Sequence, residues 1–171
     1  PLKPYLKKIN AVKNVKDLQA LLIEMEPTGG IGFFGAGVGT DAKNSNVNVI
    51  NLGPGGVGLP DRDYYVSDEK DSKEKREKYV LHVAKMLQYL GDKPEQAKAN
   101  AEKILALEIE MSKPRFDRVE RRDRRKSYNP MTVAEIQKLT PSIDWTTYFT
   151  KIGLPTNQTI IVSQPKYMTA L

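Results

Sequence analysis

The residues best equipped for chemistry stand in "GLPDRDYY", Gly58 to Tyr65. Gly58 permits a tight turn, and Pro60 fixes the φ angle that follows. Asp61 or Asp63 can cap a downstream helix, and an aspartate beside Arg62 can form a bidentate ion pair. Tyr64 and Tyr65 each offer an apolar body with a polar tip. Two readings stay open: a helix-start motif that locks neighbouring elements together, or an ordered corner that lines a cavity or meets another domain. A second charged group, Asp41, Lys43 and Asn44, lies in the turn cluster "TDAKNS".

Hydrolytic chemistry finds little to work with. A catalytic metal needs several deprotonated nitrogen, oxygen or sulfur ligands converging on one ion. The chain has one histidine, His82, and no cysteine. No His-Glu-x-x-His motif occurs, and His82 stands beside an apolar helical stripe, the setting of a structural or surface histidine. "GAGVGTD" lacks the Gly-Lys-Ser/Thr ending of a phosphate loop and does not sit in a strand-to-helix turn. "RVERRDRRK", Arg118 to Lys126, is the strongest basic cluster, within a chain of net charge +6. Its interleaved Glu120 and Asp123 favour intramolecular ion pairs. No aromatic run supplies a stacking platform. A small basic helical module for nucleic acid or an acidic protein is therefore the alternative reading. Arg118, Arg121, Arg122, Arg124 and Arg125 are expected to be outer-surface or linker charge.

The elements that must position these residues are mostly helices. A helix is expected over "NVKDLQALLIEME", with Asn14 as N-cap and Leu18, Leu21, Leu22 and Met25 at helical spacing. Pro27, Gly29 and Gly30 end it. "IGFFGAGVG" and "NVNVINL" predict an antiparallel hairpin near residues 32–52. Val47, Val49 and Leu52 alternate with asparagines there, and the glycines at 35, 37 and 39 suggest bulges or close packing. A long helix covers 68–91, with Tyr79, Val83, Met86, Leu87 and Leu90 as its stripe and Gly91 as its stop. Another follows from Pro94, with Ala97, Ala101, Ile104, Leu107 and Met111 inward. A polar connector leads to a short helix opened by the capping box of Thr132 and Glu135. One more runs from the cap Asp144 to Gly153. "QTIIVSQPKYM" closes as a short strand or extended arm, checked by Pro165. The fold class is thus mainly α, helical bundle-like, with one antiparallel β-hairpin.

Composition agrees with a folded chain: 171 residues, 39% hydrophobic and 28% charged, suit one domain or subdomain. No apolar run of about 18 residues offers a membrane span. The opening residues lack the apolar region of a signal peptide. A start at Pro1 without methionine is expected of a piece of a longer polypeptide, which leaves targeting open.

Taken together, "GTDAKNS", "GLPDRDYY", "YVLHVAKML", "ILALEIEM", "ERRDRRKSYNPMTVAEIQKLTPSIDWTTYF" and "IVSQPKYM" resemble, in order and spacing, the neprilysin and endothelin-converting-enzyme family of zinc metallopeptidases. The bacterial oligopeptidase members are the most similar, and the resemblance runs from about Leu18 to Tyr167. It implies part of the helical cap domain of a two-domain metallopeptidase. The zinc and its His-Glu-x-x-His helix would belong to a thermolysin-like domain absent here. No catalytic or metal residue is carried onto this chain, whose own cofactor list is empty. The implied partners are the catalytic domain of the same polypeptide and the parent's peptide substrates, with no nucleic acid and no membrane contact. The implied role is to enclose a central chamber and restrict it to small peptides. Asp41, Lys43, Asn44, Asp61, Arg62, Asp63 and Tyr64 are then candidate chamber-lining or interdomain contacts. The parent is expected in the periplasm, at the cell envelope or secreted. The absence of cysteine departs from the disulfide-rich animal members and points to a bacterial one.

Overall fold

The computed structural model describes residues 2–28 and 32–171. The expected breakers Gly29 and Gly30, and Ile31 at the head of the expected hairpin, lie outside the described residues. The chain forms two compact units: residues 1–56 with 123–171, and the continuous stretch 57–122.

The first unit contains a four-stranded sheet. Strand β1 (Phe34–Thr40) pairs antiparallel with β2 (Asn48–Pro54); β2 pairs parallel with β4 (Ile160–Val162); β4 pairs antiparallel with β3 (Asn129–Met131). The expected hairpin is present but does not stand alone. β3 arises in what the sequence presented as polar connector, because its pairing lies with a strand distant in the chain. The β1–β2 ladder runs unbroken from Phe34↔Pro54 to Thr40↔Asn48, so the bulges suggested by Gly35, Gly37 and Gly39 do not occur. The inward phase also differs. Ile50 and Leu52 are buried, whereas Val47 precedes β2 and is exposed, since a period of two admits only every second residue to the core face.

Around this sheet stand α1 (Lys3–Asn10), α2 (Val15–Met25), α6 (Val133–Leu139), α7 (Trp145–Lys151) and α8 (Pro165–Ala170). The expected caps form. Asn14 accepts from the Asp17 N–H at 2.9 Å, Asp144 accepts from that of Thr147 at 2.9 Å, and Thr132 and Glu135 make the reciprocal capping box. α8 replaces the expected extended arm: Pro165 opens a helix at its first position, where its missing N–H costs nothing. The core is aromatic. Trp145, Tyr148 and Phe149 are fully buried, and Phe34 meets Trp145 and Tyr148 edge-on at centroid distances of 5.0 and 5.1 Å. Burying each such side chain contributes about 1.5–3 kcal/mol. Two aromatic side chains of this unit also place a polar atom on a backbone carbonyl. The Trp145 indole donates to the Thr140 carbonyl at 3.1 Å, and the Tyr167 hydroxyl donates to that of Phe33 at 2.5 Å.

The second unit is α3 (Asp63–Val66) with the antiparallel pair α4 (Lys70–Tyr89) and α5 (Pro94–Ser112). Val80, Val83, Ala84 and Leu87 of α4 pack against Ala97 and Ala101 of α5. The small alanines allow close approach but bury little apolar area. Met86, Leu90 and Leu107, expected inward, are 41%, 51% and 49% exposed, because the helix pair closes a narrower stripe than the sequence carries. No helix among the described residues is long and apolar enough to cross a membrane.

Candidate functional site

The seven candidate residues fall in both units and form two separate clusters.

In the first unit, Asp41, Lys43 and Asn44 build the tip of the β1–β2 hairpin. The Asp41 side chain accepts from the Lys43 N–H at 2.8 Å, and that of Asn44 accepts from the Asn46 N–H at 3.2 Å. These are local turns of the kind short polar side chains make. Tyr128 closes the cluster. Its hydroxyl donates to the second Asp41 oxygen at 3.2 Å, and Lys43 Nζ stands 4.3 Å over its ring. Desolvation, and then the Asp41 carboxylate, raise the Tyr128 phenol above its ordinary value.

In the second unit, Asp61 anchors the corner. One carboxylate oxygen accepts from the Asp63 N–H at 3.2 Å, at the start of α3. The other meets Arg121 at 2.5 Å and Arg118 at 3.3 Å. Burial alone would raise this carboxyl. The Asp63 N–H and the guanidiniums of Arg121 and Arg118 outweigh burial and hold it below the usual aspartate range. Asp63 reaches Arg118 at 3.6 Å and Arg62 at 3.4 Å, so the expected bidentate Asp–Arg pair does not form between neighbours. The Tyr64 ring lies under Lys75 at 4.5 Å. Arg118 and Arg121 lie at the surface, as expected, and both are paired with Asp61. Within the same basic run Arg125 makes a local pair with Asp123 at 3.1 Å.

Two residues that sequence reasoning passed over fasten this corner. Glu108 of α5 accepts from the Gly58 N–H at 2.9 Å and from the Tyr65 hydroxyl at 2.9 Å. Tyr65 in turn accepts from the Leu59 N–H at 2.6 Å. Arg76 of α4 donates to the carbonyls of Tyr64 at 2.7 Å and Ser67 at 2.9 Å, satisfying the open end of α3. Desolvation, with Glu108 beside them, raises the phenols of both Tyr65 and Tyr79 well above the ordinary tyrosine value. Gly58 leaves room for the Tyr79 ring, which would have to shift to admit a side chain there. A signal for Glu108 did exist: it continues the inward spacing of Ala97, Ala101 and Ile104, an unusual place for a lone carboxylate.

Chemically, both clusters are structural. The Asp61 carboxyl is held charged, the Tyr65, Tyr79 and Tyr128 phenols are held protonated, and among the described residues of the two clusters no nucleophile stands beside a base. A zinc ion does not fit the donor set. His82 is exposed on α4, and among the described residues no three of His, Cys, Asp and Glu converge.

Comparison with known proteins gives the setting. The family model described as peptidase family M13 matches residues 1–171. Endothelin-converting enzyme 1 of Cavia porcellus is 33% identical over 141 residues, covering 80% of this chain, and that of Homo sapiens is 32% identical over the same length. Neprilysin-3 of Drosophila melanogaster is 29% identical over 116 residues. The chain spans 19% of the Cavia porcellus enzyme and 15% of Neprilysin-3. The Mycobacterium tuberculosis zinc metalloprotease Zmp1 in its open state superposes with a TM-score of 0.86 at 28% identity, over 98% of this chain and 27% of that one. PepO from Lactobacillus rhamnosis shares the fold, with a TM-score of 0.85 at 15% identity, over 99% of this chain and 27% of that one.

Proposed function

This chain belongs to peptidase family M13, the neprilysin and endothelin-converting-enzyme family, as part of its amino-terminal helical region, and from that premise we propose that its contribution to peptide hydrolysis is a rigid, non-catalytic wall. The wall encloses part of a chamber and restricts entry to small peptides, while zinc and the general base reside elsewhere in the same polypeptide. The observation that carries this reading is the fate of the chain's reactive side chains. Asp61, the most charge-rich position of the candidate site, is tied to Arg118 and Arg121, and Glu108 is tied to a turn and a phenol. Such groups hold shape and have no free valence for substrate chemistry. When bound to the family's own ligands, zinc would activate the attacking water; no step of that reaction is assigned to residues 1–171.

Turnover of a fluorescence-quenched oligopeptide tests the proposal. The chain alone, with zinc added, is expected to give none. Supplying the zinc-binding half of a family M13 enzyme in trans is expected to give turnover that a chelator stops. Chelator-sensitive turnover by the chain alone would overturn the reading.

A further inference from the structure

The sheet of the first unit treats its two edges in opposite ways. β3 closes one of them. It is three residues long and carries Pro130 at its centre, the devices by which proteins blunt a strand edge. β1 forms the other edge. It runs for seven residues, Phe34 to Thr40, without a charge or a proline, and among the described residues no strand pairs with its outer side. The ladder fixes which backbone groups face outward. Asp41 N–H donates to the Val47 carbonyl at one end and Gly55 N–H to that of Phe33 at the other, so the odd-numbered residues between them exchange hydrogen bonds with β2. Ala36, Val38 and Thr40 therefore turn their backbone groups to the outer side, and Val38 is 61% exposed.

The glycines of β1 answer to nothing inside the fold. None of them has a positive φ. A Cβ on Gly35 or Gly37 would meet no atom within 4 Å, and one on Gly39 only the Asn51 amide. Glycine weakens a strand, and its use at such a place is the close approach of another backbone. A strand added beside β1 would make its hydrogen-bonded pair at Val38. Its flanking residues would then stand opposite Gly37 and Gly39 at the narrower Cα spacing of about 4.5 Å. There the bare glycine face leaves room for large side chains, which stabilise glycine across a strand pair.

We propose that the outer edge of β1 takes one short extended peptide as a fifth strand, with a bulky side chain set over Gly37. The site deepens the wall reading and rests on its family premise, which supplies the peptide. The walls set the size of the occupant. Glu26, Pro27, Lys151, Ile152 and Leu154 stand with Ala36, Gly37 and Val38 around a cavity of about 440 Å³. That is the room of a small-ligand site. A single strand held there falls short of the roughly 800 Å² per partner that a stable pairing with a second copy needs. Glu26 and Lys151 offer one charge of each sign, matching the two charged ends of a short peptide.

The probe is a fluorescein-labelled heptapeptide that alternates phenylalanine with threonine, and its binding to the 171-residue chain is read by anisotropy. Saturable binding is expected. The same peptide N-methylated at its central amides cannot pair as a strand and is expected to bind about tenfold or more weakly. Val38→Pro removes the outward N–H while leaving the bonds to β2 in place, and is expected to cost a similar factor. Gly37→Val keeps the test open if the proline variant folds poorly. The fold has room for that side chain, so the thermal midpoint is expected to hold, while affinity falls about tenfold because the valine takes the peptide's space. Equal binding of the methylated peptide would overturn the proposal, as would affinity that Gly37→Val leaves unchanged or the lack of saturable binding below about 1 mM. Self-association of the chain that Val38→Pro abolishes would give the edge to a second copy and overturn it too. Peptide capture without turnover restored in trans retires the wall alone, and restored turnover without capture retires the edge site alone.

Discussion

The two units of this molecule are held together by different physics. In the first, Trp145, Tyr148, Phe149 and Phe34 form an interlocked aromatic core beneath a sheet, and the polar atoms at its edge merely complete their hydrogen bonds. In the second, apolar burial is thin and the specific fastening is polar: a forked glutamate on a turn, an arginine on a helix end, an aspartate between two guanidiniums. The first unit therefore depends mainly on packing, with an acid-sensitive part from the cap carboxylates Asp144 and Glu135, which the backbone N–H groups they accept from hold below their usual range. The second depends on the charge of a few named atoms.

Four substitutions break or sharpen that contrast. Trp145→Ala removes the centre of the aromatic core and is expected to cost about 3–5 kcal/mol, read as a fall in the urea midpoint. Glu108→Ala is expected to cost about 1–3 kcal/mol, because it strands the Tyr65 hydroxyl and the Gly58 N–H. Trp145 is the sole tryptophan and lies in the first unit, so fluorescence reports that unit, while far-UV dichroism reports both, with about half of the α-helical residues in α4 and α5. Glu108→Ala should shift the dichroism midpoint ahead of the fluorescence midpoint. Coincident shifts would end the contrast.

Asp61 sets the acid limb. Its folded-state pKa lies below its unfolded value, so the stability it contributes is complete above the ordinary aspartate value of about 3.9. That contribution is lost as pH falls through the lower folded value. Urea midpoints of Asp61→Asn and the parent are expected to differ by a roughly constant amount near neutrality and to converge under acid. A constant gap at all pH values would mean that the pairing with Arg118 and Arg121 carries no net charge effect. Tyr128→Phe, which removes one part-buried hydrogen bond to Asp41 in the first unit, is expected to cost about 0.5–1 kcal/mol and no more.

What the sequence made legible was local. Asn14, the Thr132–Glu135 box and Asp144 mark helix starts through side chains that bond within three residues, and Gly91 and Gly153 mark stops at φ 113° and 74°. The hairpin tip was legible for the same reason: Asp41 and Asn44 make their turns with their own neighbours. What escaped was distant. β3 becomes a strand only through β4, the Asp61 carboxylate is shared with arginines far along the chain, and Tyr128 reaches Asp41 across 87 residues of sequence that include the whole second unit. Periodicity marked stripes on α4 and α5 wider than the helix pair closes, and it did not mark which edge would stay open. That depends on how many helices share the stripe.

The parallel pairing of β2 with β4, Ile50 opposite Ile160, has a consequence for synthesis. As the ribosome delivers the chain, the β1–β2 hairpin emerges early, but its inner edge has no partner until the entire second unit has been made. During that interval a row of backbone donors and acceptors beside buried-type isoleucine and leucine stands open to any passing strand. A nascent chain stalled anywhere between Val57 and Thr159 carries that open edge, and there the cell's holding chaperones have the most to guard.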